Sequence, residues 1–91
     1  DMVGHTGVME AAVKACEVID RCLKNITEKV QSLGGTVIIT SDHGNCEEMM
    51  EDSHPHTAHT TNFVPFILIK KGTKLRDKGI LADVAPTLLE L

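Results

Sequence analysis

From Val8 to Leu33 the apolar residues Met9, Ala12, Val13, Cys16, Ile19, Leu23, Ile26, Val30 and Leu33 recur mostly at steps of three and four. That spacing lays side chains along one face of an α-helix, and in a chain of 91 residues every other element must be arranged around so long a helix. Thr6 is placed to cap its start, and Gly34-Gly35 stops it by offering backbone that tolerates left-handed angles. Directly after the glycines, the β-branched run TVIIT at 36–40 reads as a buried parallel strand ending at Ser41-Asp42. Residues 47–62 are polar and aperiodic, which predicts a loop, with one helical turn at Glu47 to Met50. VPFILI at 64–69 is a second buried strand whose start is marked by Pro65. A basic turn from Lys70 to Lys78 leads to a closing helix from Ala82 to Leu91 with Pro86 near its beginning. Helix, strand, loop, strand, helix predicts an α/β fold: part of a layered, mostly parallel sheet flanked by helices, with residues 1–91 as a single unit.

Charge and composition narrow the partners. With 13 Asp+Glu against 9 Lys+Arg, two Phe and no Trp or Tyr, the chain has neither the basic stripe nor the stacking aromatics of a nucleic-acid binder. No apolar run approaches the roughly 20 residues of a membrane helix, and the start DMVGHTG lacks the features of a secretion signal. A cytoplasmic protein with no membrane partner is expected. Cys16, Cys22 and Cys46 form an odd set without CxxC spacing, which predicts reduced thiols. A chain this short buries too little surface for a robust core. It also begins at Asp1 rather than Met and stops within an apolar helical pattern, so a piece of a larger domain is expected. The face of the long helix that two short strands leave uncovered is expected to drive self-association.

The residues able to carry chemistry gather at element ends. Asp42 and His43 directly follow the first strand, where α/β sheets collect ligands, and together offer an oxygen and an imidazole nitrogen to a cation. A plain capping Asp beside a solvated His would give the same letters. Asp1 and His5 form a D-x3-H pair that can reach one ion across a turn, although a capping Asp and an incidental His would also fit. His59, in the loop returning to the second strand, can approach the same sheet edge. Two carboxylates and three histidines make a mixed O/N set suited to Mn²⁺, Zn²⁺, Co²⁺ or Fe²⁺. Five ligands exceed the three a catalytic zinc usually takes from protein, so two metals are expected. His54 and His56 are spaced HxH in the most polar stretch and read as solvated. Cys46 reads as a packed thiol, and Lys70, Lys71, Lys74, Arg76 and Lys78 as a solvated turn. The sequon Asn25-Ile26-Thr27 lies within the helix and is set aside. No Walker A or GxGxxG loop is present.

Three ordered segments, DMVGH (1–5), TSDHGN (40–45) and AHTTNFVPF (58–66), followed by GILADVAPTLLEL at the end, resemble the C-terminal part of the cofactor-independent phosphoglycerate mutase family of the alkaline phosphatase superfamily. The resemblance implies an isomerase of glycolysis that interconverts 3-phosphoglycerate and 2-phosphoglycerate through a phosphoserine at a two-metal centre, usually manganese. Carried over by motif, it implies that Asp1, His5 and His59 bind one metal and that Asp42 and His43 contribute to the other. It also implies that the serine nucleophile, a further metal-binding Asp and most substrate-gripping Arg and Lys residues come from segments outside this chain, so that the 91 residues alone are inactive. Two other readings compete: a non-catalytic metal-binding or interaction piece whose helix docks on a partner, and a related superfamily phosphohydrolase or phosphopentomutase.

Overall fold

The computed structural model describes all 91 residues, Asp1 to Leu91. A 3₁₀ turn, Gly4–Thr6, precedes the long helix α1, Met9–Ser32. The Thr6 hydroxyl accepts the Val8 N–H at 3.2 Å and donates to the Val3 carbonyl at 2.6 Å. It therefore orders the approach to α1, while Val8 occupies the cap position without a side-chain bond. The other end follows the glycine pair. Gly34 takes a positive φ of 77°, its N–H reaches the Gln31 carbonyl at 3.0 Å, and the Gly35 N–H reaches the Val30 carbonyl at 2.9 Å. These are the paired bonds of a Schellman stop, which satisfies carbonyls that a helix end otherwise leaves unpaired.

The strands β1, Val37–Thr40, and β4, Phe66–Ile69, form one two-stranded sheet. They run antiparallel, with Val37 opposite Ile69 and Thr40 opposite Phe66, which corrects the expected parallel pairing. A parallel partner needs a crossover, usually a helix, to carry the chain back to the starting end. Residues 41–65 contain no helix, and they return the chain to β1 at the end it left. The Thr40 hydroxyl closes this corner by donating to the Pro65 carbonyl at 2.9 Å.

Within that connection the expected helical turn at Glu47 to Met50 is replaced by a small hairpin: β2, Met50–Glu51, pairs with β3, His54–Pro55. The two residues between them, Asp52 and Ser53, have φ of 47° and 66°, the signs that a tight hairpin turn requires. Met49 explains the choice. The residue is only 3% exposed, so one apolar residue anchors the polar stretch between the turn at Asn45 to Glu48 and β2. After the basic turn, a 3₁₀ segment, Leu81–Asp83, precedes the closing helix α2, Val84–Glu90. Pro86 falls in its first turn, where a missing N–H costs no internal bond.

The core is thin. Ala12 and Met49, at 4% and 3% exposure, are the only buried apolar residues apart from glycine, and the surface of 7221 Å² exceeds the roughly 5,200 Å² expected of a globular monomer of this mass. The radius of gyration, 15.5 Å, likewise exceeds the about 12 Å of a compact domain of this length. Along α1, Val13, Ile19 and Ile26 remain about half exposed at 50%, 53% and 57%. No helix is long and apolar enough to cross a membrane.

Candidate metal centre

The antiparallel pairing decides where the chemistry gathers. Because the end of β1 lies beside the start of β4, the segment after Thr40 and the segment before Phe66 meet at one edge of the sheet. Their backbones join through a bridge between Gly44 and Thr60, with the Thr60 N–H donating to the Gly44 carbonyl at 2.9 Å. The Asn45 carboxamide donates to the Ala58 carbonyl at 3.3 Å, and the Thr60 hydroxyl donates to the Glu47 carboxylate. These three contacts bracket His59 on both sides.

Glu47 is the knot of this lattice. It accepts from Thr60, from the Asn45 backbone N–H at 2.6 Å and from the Asn62 amide at 3.3 Å. The Thr60 hydroxyl above all, with further bonds from backbone N–H groups and Asn62, holds its carboxyl down at about 2, because each donor favours the charged form.

The N-terminal turn supplies the other half. The His5 N–H donates to the Asp1 carbonyl at 3.1 Å, so one tight turn presents both side chains in the same direction. Gly4 lets this turn approach the β1 loop, since a Cβ there would collide with the Asn45 carboxamide. The His5 Nδ1–H donates to the Thr57 carbonyl at 2.5 Å. That bond fixes the tautomer and leaves Nε2 as an acceptor facing inward.

Asp1, His5 and His59 thus converge, each offering one ligand atom within 4.8 Å of the others. His5 Nε2 and His59 Nε2 lie 3.0 Å apart, and Asp1 Oδ1 lies 3.1 Å from His59 Nε2 and 3.3 Å from His5 Nε2. Three atoms at these separations have the edge lengths of a face around an ion with N and O ligands at about 2.1 Å. The chemistry agrees with the spacing. One proton on His59 Nε2 can serve either the His5 lone pair or the Asp1 carboxylate, whereas a divalent cation serves all three acceptors. Desolvation first, then the neighbouring His43 and His5, lowers the His59 pKa, favouring the neutral imidazole that a metal needs.

His43 adjoins this triad. Its Nδ1–H donates to the Gly44 carbonyl at 3.2 Å, and its Nε2 stands 3.7 Å from Asp1 Oδ1 and 3.6 Å from Asp42 Oδ1. The Asp42 side chain is 81% exposed and lies outside the three-residue cluster. His54 sits on the exposed hairpin. His56, expected to be solvated, instead packs with its side chain 15% exposed and its Nδ1 bonded to the Glu48 carbonyl at 3.0 Å.

A family profile for the metalloenzyme superfamily matches residues 1–91. The chain belongs to the metalloenzyme superfamily. Among curated members it is 55% identical over 95 residues to the 2,3-bisphosphoglycerate-independent phosphoglycerate mutase of Clostridium novyi, with 99% of this chain and 19% of that protein covered. It is 54% identical to the same-named protein of Flavobacterium johnsoniae and 55% identical to that of Pseudomonas putida, in each case over 100% of this chain and 18% of the relative. The chain therefore spans about a fifth of the length of these relatives.

Sequence reasoning missed the residues that support the Asp1, His5 and His59 cluster. Gly4, Asn45, Glu47 and the Thr57 carbonyl position the histidines and offer no donor of a metal-ligand type at a telling spacing.

Proposed function

We propose that residues 1–91 are the C-terminal segment of the metal-holding domain of a cytoplasmic phosphoglycerate mutase of glycolysis. The enzyme would interconvert 3-phosphoglycerate and 2-phosphoglycerate through a phosphoserine at a centre of two divalent ions, with Mn²⁺ as the working metal. The observation that carries this reading is the convergence of Asp1, His5 and His59 within 4.8 Å in a chain that aligns over its whole length with named mutases. Asp1, His5 and His59 hold the first ion, and His43 with Asp42 reaches toward the second. The serine, the remainder of a layered, mostly parallel sheet and the substrate-gripping domain belong to segments outside these 91 residues. The antiparallel β1 and β4 then form one margin of that larger sheet.

When bound, divalent ions lower the pKa of a coordinated hydroxyl and neutralise charge on a transferring phosphoryl group. This chain's residues prepare that chemistry. The Asp1 and Asp42 carboxylates carry two negative charges against the four positive charges of two divalent ions, so these residues alone leave positive charge for the further Asp, the serine and an anionic phosphate to neutralise. The Thr57 carbonyl and the Gly44 carbonyl hold the His5 and His43 rings so that each turns an Nε2 inward.

The test uses the protein carrying this segment, assayed for 2-phosphoglycerate formation and separately for phosphate release. Interconversion without net phosphate release, lost on His59→Ala, is the expected result. Release alone would assign a phosphohydrolase, and metal binding without turnover a non-catalytic piece. The 91 residues by themselves are expected to show no turnover.

A further inference from the structure

Two of the three cysteines meet across the fold. Cys16 lies on α1 and Cys46 in the tight turn that begins at Asn45, where the Glu48 N–H closes on the Asn45 carbonyl at 3.3 Å. Their Sγ atoms are 3.8 Å apart, although 30 residues separate them in sequence. Both residues are exposed, as is Cys22, which lies six residues further along α1 and so points around the helix from Cys16. Nothing in the metal centre uses either sulfur.

We propose that Cys16 and Cys46 form a reversible disulfide that ties α1 to the loop carrying Asp42 and His43, with a low-molecular-weight disulfide such as oxidised glutathione as the oxidant. Bond formation requires the sulfurs to close from 3.8 Å to about 2.0 Å, and Cys46 sits in a solvent-facing turn. Both thiols are open to solvent, so either can attack first and the other resolve, as in the order that begins at Cys46. The Cys46 thiolate attacks one sulfur of oxidised glutathione, and its S–S bond breaks to release one glutathione thiolate. Cys16 then loses its proton to water and attacks the Cys46 sulfur, releasing the second glutathione. Two protein thiols are oxidised by two electrons, and one glutathione disulfide is reduced to two thiols.

Non-reducing tryptic mapping of the full chain after exposure to oxidised glutathione tests this, because cleavage at Arg21 puts Cys16 and Cys22 on different peptides. In native buffer the Cys16–Cys46 crosslink should predominate, Cys22 should remain open to alkylation, and dithiothreitol should reverse the bond. In urea the preference should invert toward Cys16–Cys22 by about tenfold, since a shorter loop closes more readily in an unfolded chain. Cys22→Ser should retain the native crosslink, and Cys46→Ser should lose it. The proposal is overturned if Cys16–Cys22 predominates in native buffer, or if Cys22→Ser yields only mixed disulfides or crosslinks between chains.

Discussion

The imidazole of His43 lies flat against that of His59, with ring centroids 3.5 Å apart and planes 18° from parallel. This stack joins a residue from the end of β1 to one from the segment leading into β4. It also links the Asp1, His5 and His59 cluster to the Asp42 and His43 pair. The two halves of the site therefore share mechanical support, and both imidazoles turn Nε2 toward Asp1 Oδ1, His59 at 3.1 Å and His43 at 3.7 Å, while His43 also faces Asp42 and His59 faces His5.

Gly4 and Asn45 form the contact through which the N-terminal turn reaches that stack. Gly4→Ala should push the turn away from the Asn45 carboxamide and weaken Mn²⁺ binding, because His5 rides on the displaced turn. Asn45→Ala should cost about 1 kcal/mol by removing the bond to Ala58. It should also lower metal affinity about tenfold, as loss of a support behind a ligand commonly does. Thermal melts and Mn²⁺ titration of both variants check this, and full affinity in Gly4→Ala would show that the close approach is dispensable.

Glu47 sets an acid limit on the same lattice. Its carboxyl sits at about 2 in the folded chain, below the ordinary value of about 4.3, so the folded state binds the proton less readily than the unfolded state. A depressed carboxylate adds stability that is fully present above about pH 5 and is lost as the pH falls from about 4 toward 2. Denaturant melts from pH 6 to 2 should show this loss in the parent chain and a flatter profile in Glu47→Gln. An unchanged profile in the variant would remove Glu47 from the role of anchor.

How far the sequence revealed this arrangement depended on what each signal encodes. The helix and both strands were legible because period and β-branching act locally: α1 spans Met9–Ser32, and Gly34 takes the left-handed angle its position required. The direction of β4 was not legible, since an apolar run such as VPFILI is the same in a parallel or antiparallel pair. Only the path of residues 41–65 decides between them. Met49 escaped notice because two adjacent methionines among acidic residues carry no periodicity to say which is buried, yet Met49 is 3% exposed and Met50 52%. The metal-ligand types stood out by chemistry and placement, whereas the carbonyls that orient them belong to the backbone and leave no mark in the letters.

The uncovered side of α1 should have consequences in solution. Val13, Ile19 and Ile26 are half exposed on a surface well above that of a compact monomer. Apolar area left in water favours burial at about 25 cal/mol per Å². The 91-residue chain should self-associate in light scattering and bind a hydrophobic dye, and Ile19→Lys with Ile26→Lys should reduce both signals. A monodisperse parent that ignores the dye would show that this face needs no cover.

The two halves of the centre should differ in metal affinity. Asp1, His5 and His59 already supply three ligand atoms at edge lengths of 3.0 to 3.3 Å, whereas Asp42 and His43 supply two, one of them on a largely exposed side chain. Three protein ligands displace more water from the ion and hold it more tightly than two. Calorimetric titration with Mn²⁺ should therefore give a tighter event that His59→Ala abolishes. The stack adds a refinement: His43→Ala should weaken that event only a few-fold by freeing the His59 ring, and His43→Phe, which keeps an aromatic face without a lone pair, should restore it. Loss of the dominant event in His43→Phe, with its survival in His59→Ala, would place that event on His43 rather than on His59.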